Sequence, residues 1–174
     1  MSPAPEPDAA AAAQAVGARL AEIYRGVHVA MRDLPVCNPR LDVEAIGFQP
    51  FGDYALGVLL TPWFMNVIIC ARSAPDLPAT PAGAATQWAL PAGGVDFVAA
   101  RLEGFGRLDS CSLFSPMDAF ADHAAAKATA IAALDQLIAP AAEPAADPRA
   151  PQHKKLNRRA LFFGARRDDA GAQP

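Results

Sequence analysis

Three kinds of side chain in this 174-residue sequence could do chemistry, and their spacing limits what that chemistry is. The histidines stand at 28, 123 and 153, none with a Cys or a second His at metal-ligand spacing. A tetrahedral zinc site needs four ligands, so these read as surface or helix-packing histidines, and no metal or other cofactor is expected. The cysteines, Cys37, Cys70 and Cys111, form no C-x-x-C pair, and three thiols cannot all pair as disulfides. A nucleophilic cysteine needs a His base oriented by a third group. Nothing local supplies one to Cys37 or Cys111, and small buried thiols are common. No G-x-S-x-G elbow, Walker loop or dinucleotide fingerprint occurs. No catalytic residue is expected.

Other patterns point to binding. Asp42 and Glu44 lie two apart in an alternating stretch, which puts both on one strand face. A solvated face is the plain reading, but paired carboxylates also suit a guanidinium. Pro62-Trp63-Phe64-Met65-Asn66 gathers aromatic and thioether groups. Strand alternation sends Trp63 and Met65 to one face and Phe64 to the other, and whichever is exposed offers an adaptable apolar surface. Toward the C-terminus, Asn157-Arg158-Arg159-Ala160-Leu161-Phe162 sets two Arg, a spacer and an apolar pair in the order of a twin-arginine export signature. No apolar run follows it, so it cannot act as a cleavable signal.

The elements that must position these residues follow from composition and period. Ala and Pro (41 and 17) make up a third of the chain, concentrated in the first 15 residues and in 139–151. The foldable part is therefore roughly 120–130 residues, enough for one hydrophobic core. Aromatic residues are only 7%, so that core must rest on Leu, Ile and Val. Asp8 offers an N-cap to a helix with Val16, Leu20, Ile23, Tyr24, Val27 and Met31 on one face. The helix should stop near Asp33, because Pro35 disfavours helix at Leu34.

A β-rich middle follows. Leu41, Val43 and Ala45 alternate with acids as a half-buried strand, and 49–53 reads as a hairpin loop. Residues 54–71 carry no charge, but Gly57, Thr61-Pro62 and Asn66 interrupt them, which favours two strands, 54–60 and 64–70, over a membrane helix. Residues 72–85 are a Pro-rich loop, and 86–90, 95–100 and 108–114 complete the sheet. Ser115-Pro116 looks like an N-cap and first helical position. The second helix would bury Met117, Phe120, Ala124, Ile131, Leu134 and Ile138 and end at Pro140. The fold expected is α+β: an antiparallel sheet of five or six strands flanked by an N-terminal and a C-terminal helix, with a disordered basic tail. The boundaries expected are a leader (1–8), the folded domain (9–139), a Pro/Ala linker (140–152) and the tail (153–174).

Charge is divided along the chain. Residues 1–150 hold 9 Lys and Arg against 16 Asp and Glu, while 151–174 hold 6 against 2. An acidic body thus carries a basic tail. A net charge of −3 argues against nucleic-acid binding through an all-basic surface. The N-terminus has no Lys or Arg before Arg19 and no apolar h-region, so an export signal is not expected and a reducing cytoplasm fits best.

These segments together resemble the HybE/HupJ family of [NiFe]-hydrogenase assembly chaperones. The matching residues are Asp33-Leu34-Pro35 with Asn38-Pro39, Val43-Glu44-Ala45 with Gly47-Phe48, and Gly57-Val58-Leu59 leading into Thr61-Pro62-Trp63-Phe64-Met65-Asn66. Pro91-Ala92-Gly93 and Cys111-Ser112-Leu113-Phe114-Ser115-Pro116-Met117 follow in order, over about residues 15–138, with a further likeness at 157–164. Cys37 stands where an aromatic is expected, and Ala160-Leu161-Phe162 departs from the tail pattern.

The resemblance implies a cytoplasmic, non-catalytic maturation factor without cofactor. Its partner would be the hydrogenase small-subunit precursor, which carries a twin-arginine signal, with other maturation proteins as further partners. Candidate client-binding residues are Trp63, Phe64, Met65, Asn66, Asp42, Glu44, Leu113, Phe114 and Met117. The tail motif Arg158, Arg159, Leu161 and Phe162 is expected to visit the client's groove as an internal competitor, so that deleting 151–174 tightens client binding. The alternatives are a scaffold contacting the large subunit or an iron–sulfur maturation factor, and a Cys-based redox protection factor.

Overall fold

A computed structural model describes residues 7–141. The tail motif, most of the 140–152 linker and residues 1–6 lie outside the described residues. Two helices, α1 (Pro7–Met31) and α2 (His123–Ile138), bracket six strands in sequence. These are β1 (Glu44–Phe51), β2 (Tyr54–Leu60), β3 (Met65–Ala71), β4 (Ala85–Leu90), β5 (Gly93–Leu102) and β6 (Gly106–Phe114). The sheet runs β1-β2-β3-β6-β5-β4, and every neighbouring pair is antiparallel.

The uncharged stretch forms β2 and β3 because both of its faces are buried. On one face Leu56, Val58, Leu60, Val67 and Ile69 pack with Ala126, Ala130, Leu134 and Leu137 of α2. On the other, Ala55, Leu59, Ile68 and Cys70 pack with Ala13, Leu20 and Ala21 of α1. One helix covers each face, so strands near the centre read as near-continuous apolar runs.

β1 switches faces partway along. The register jumps between Ile46, opposite Val58, and Gln49, opposite Leu56, so Gly47 and Phe48 together oppose Gly57. This is a β-bulge with Gly47 at φ 63°, the left-handed conformation that glycine adopts without cost. The extra residue sends Phe48 to the α1 face while Ile46 stays on the α2 face. A Cβ on Gly17 of α1 would lie 2.5 Å from the Phe48 ring, and one on Gly57 would collide with it as well.

Three expectations need correction. The ladder of β1 begins at Glu44 rather than Leu41 and runs on to Phe51, leaving only Gly52-Asp53 as the turn. The second helix does not open at Ser115-Pro116. It starts at His123, capped by Asp122, whose side chain accepts from the Ala125 N–H at 2.8 Å. Residues 115–122 instead fold into turns that plug Met117 and Phe120 into the core. The buried stripe of α2 is Ala126, Ala130, Ala133, Leu134 and Leu137, in which the three alanines let the helix sit close to the sheet. Ala124 and Ile131 are exposed instead.

A buried carboxylate fixes the far edge. Asp109 of β6 is fully buried and accepts from the Arg107 guanidinium, from Thr86 Oγ1 at 2.8 Å and from Trp88 Nε1 at 2.8 Å. The residue opposite it on β5 is Ala99, small enough to let β6 reach β4. Trp88 also stacks edge-on against Tyr54 at 5.0 Å, so the sheet curls until β4 meets the β1–β2 hairpin.

Candidate functional site

Three sequence segments far apart in the chain meet at one end of the sheet, and Asn38 joins them. Its side-chain amide donates to the carbonyls of Met117 (3.1 Å) and Phe120 (2.9 Å). Its backbone N–H donates to the Pro62 carbonyl at 2.9 Å, and its Oδ1 accepts from the Arg40 N–H. Asn38 is buried, and these bonds use its capacity well. The Thr61-Pro62 turn is braced in turn by Thr61 Oγ1, which accepts from the N–H groups of Trp63 and Phe64.

That turn presents Trp63 and Phe64 beside the last turns of α1. Trp63 and Phe64 meet edge-on at 5.7 Å; Tyr24 meets Phe64 edge-on at 5.5 Å, and His28 lies 6.0 Å from Trp63. All four side chains are half-buried. Both aromatics precede β3, so strand alternation does not separate them. Burial pushes the Tyr24 phenol up. Just beyond, Val29, Leu34 and Val36 are 68%, 48% and 41% exposed, three of the five large apolar side chains most open to solvent among the described residues. Their exposure was not expected from the sequence.

Of the two carboxylates nearby, Glu44 is already engaged. Glu44 Oε2 lies 2.7 Å from His123 Nε2, and Glu44 Oε1 lies 2.5 Å from Lys127 Nζ. His123 Nδ1 accepts from the Asp42 N–H at 3.1 Å, so the proton sits on Nε2 and is donated to Glu44. Burial pushes the Glu44 carboxyl up, but the hydrogen bonds from Lys127 and His123 and the charge of Lys127 outweigh it and hold it below the usual range. Asp42 remains exposed, on a cleft of about 490 Å³ that it lines with Arg25, His28, Val43, Glu44 and His123.

The remaining candidates separate by burial. Met65 and Met117 are fully buried, so neither can touch a client; both belong to the packing beneath the site. Asn66 is half-buried and donates to Ser110 Oγ at 2.9 Å, while its Oδ1 is buried without a partner among the described residues. Leu113 and Phe114 are half-buried against the core, with Phe114 edge-on to Phe120 at 5.0 Å. Cys37, Cys70 and Cys111 are buried, and none is in a disulfide among the described residues. Burial pushes the Cys37 thiol up, and burial with the charge of Asp76 pushes Cys70 up to about 12. Reactive cysteines need the opposite shift. Among the described residues no three His, Cys, Asp or Glu side chains gather as a metal-ligand set, and no helix is long and apolar enough to cross a membrane.

The chain's similarity to known proteins extends over most of its length. The family described as [NiFe]-hydrogenase assembly, chaperone, HybE matches residues 15–164. The chain is 44% identical over 163 residues to the hydrogenase expression/formation protein HupJ of Bradyrhizobium diazoefficiens, covering 92% of this chain and 94% of that one. It is 38% identical over 148 residues to protein HoxT of Cupriavidus necator, covering 79% and 81%. The solution structure of HybE from Escherichia coli shares the fold with a TM-score of 0.58 at 24% identity, over 87% of this chain and 90% of that one.

Proposed function

The chain belongs to the HybE family of [NiFe]-hydrogenase assembly chaperones, and from that premise we propose that its client is the hydrogenase small-subunit precursor, held in the cytoplasm by its twin-arginine signal. The observation that supports this is the half-buried pair Trp63 and Phe64 on the turn that Asn38 anchors through the Pro62 carbonyl, with Leu34 and Val36 exposed on the segment leading into Asn38. A signal of this kind offers two Arg and then an apolar run. The apolar run covers the aromatic pair and the exposed aliphatics, where burial is worth about 25 cal/mol per Å² of apolar surface. The Arg pair is met by Asp42, which is exposed, rather than by Glu44, whose carboxylate Lys127 and His123 already hold. The chaperone contributes binding and shielding and no covalent step, in keeping with thiols whose burial keeps them protonated.

The test is calorimetric titration of the full chain with the small-subunit precursor, with and without its signal. Binding that requires the signal supports the reading. Binding that persists on the mature subunit moves the client surface elsewhere.

A further inference from the structure

The two edges of the sheet are built differently. β1 is guarded against strand addition by a bulge at Gly47-Phe48, by Pro50 and by Glu44, devices that blunt an edge. β4, Ala85-Thr86-Gln87-Trp88-Ala89-Leu90, has no charge, no Pro and no bulge. Among the described residues it pairs only with β5, so every second backbone N–H and C=O points away from the sheet. Its outward side chains are small or neutral: Ala85, Gln87 and Ala89 are exposed, beside Val98 of β5 at 46%. The edge is also held rigid, because Thr86 and Trp88 are both anchored on Asp109. An ordered, uncharged, unguarded edge is a template for an extended segment.

The path of the chain says which segment. After α2 the Ala141 N–H donates to the Pro91 carbonyl at 3.1 Å, and the Ala92 N–H donates to the Leu137 carbonyl. The chain therefore leaves the described fold next to the end of β4, with 33 residues still to come. The family match runs on to residue 164, well past the last described residue. The part it covers there includes Arg158-Arg159-Ala160-Leu161-Phe162-Phe163, the one apolar run of this stretch and rich in strand-forming types. The Pro-rich residues between, 142–157, span about 50 Å when extended at about 3.1 Å per residue, whereas β4 is about 20 Å long. The charge also agrees: the segment is basic, and Asp96, paired with Gln87, places a carboxylate beside the edge.

We propose that residues 158–163 of this chain add to the free edge of β4 as a seventh strand. Apolar side chains from this segment fill the room left by Ala85, Ala89 and Val98. This moves the docking place of the tail from the aromatic end, where Glu44 is already paired, to the opposite edge of the sheet, and it holds whatever the client is.

Hydrogen exchange of the β4 backbone amides in the full chain tests it, against a Leu161→Ser/Phe162→Ser/Phe163→Ser variant, with β2 amides as the check that the fold is intact. Alternate β4 amides at least ten-fold slower in the native chain, at every protein concentration, support the proposal. Equal β4 exchange in the two chains overturns it. So does protection that grows with concentration, which assigns the edge to a second copy.

Discussion

The side-chain amide of Asn38 donates to the backbone carbonyl of Met117, 3.1 Å away and 79 positions further along the chain. That one bond, repeated to Phe120, holds the 115–122 turns against the loop after α1 and so shapes the end where Trp63 stands. Asn38→Ala leaves the Phe120 carbonyl without its Asn38 donor and the Met117 carbonyl with the Phe120 N–H alone. A loss of about 2–3 kcal/mol is expected, read as a lower midpoint in urea with unchanged slope. A change under about 0.5 kcal/mol would mean that water takes over both bonds.

Gly17 and Gly26 lie on the same helix and should respond oppositely to alanine. A Cβ at Gly17 meets the Phe48 ring, whereas one at Gly26 meets nothing within 4 Å. Gly17→Ala is expected to cost about 1–3 kcal/mol by overpacking. Gly26→Ala should gain about 0.5–1 kcal/mol from helix propensity. Thermal unfolding of the two variants gives shifts of opposite sign.

Asp109→Ala strands the Arg107 guanidinium, whose side chain is 8% exposed, and removes the acceptor of Thr86 and Trp88. Breaking a buried pair from one side costs about 3–5 kcal/mol. The variant should unfold at markedly lower denaturant, and its residual native state should exchange β4 amides faster than β2 amides.

Glu44 links stability to pH. Its folded carboxyl titrates below its ordinary value, so the unfolded chain binds the proton more readily. Its contribution is therefore present in full above the unfolded value, about 4.3, and is lost as pH falls through the lower folded value. Glu44→Gln should flatten that part of the stability–pH curve below about pH 5. A curve of unchanged shape would show that Lys127 and His123 do not hold the carboxylate in solution.

Some of this was legible in the sequence for identifiable reasons. The strand at Tyr54–Leu60 is an uncharged run bounded by Gly52-Asp53 and Thr61-Pro62, and it forms between those bounds. The start of α2 was not legible. Ser115-Pro116 carries a proper local helix signal, but the carbonyls of Met117 and Phe120 are claimed by Asn38, a tertiary fact. The face taken by Phe48 was hidden for a similar reason, since a period of two ignores the residue that a bulge inserts. At the candidate site, residue type singled out Trp63 and Phe64. Whether Met65 or Met117 reaches the surface depends on the layers packed over them, and both are covered. Leu34 and Val36 were missed because an apolar residue is read as core until the fold leaves it outside.

Titration calorimetry of the full chain and its Trp63→Ala variant with the signal-bearing small-subunit precursor, both chains verified as folded by circular dichroism, bears most directly on the client end. Trp63 is expected to act as an interface anchor worth about 2 kcal/mol, so its removal should weaken binding about thirty-fold. Equal affinity of the two chains for the precursor would contradict the placing of the client at Trp63.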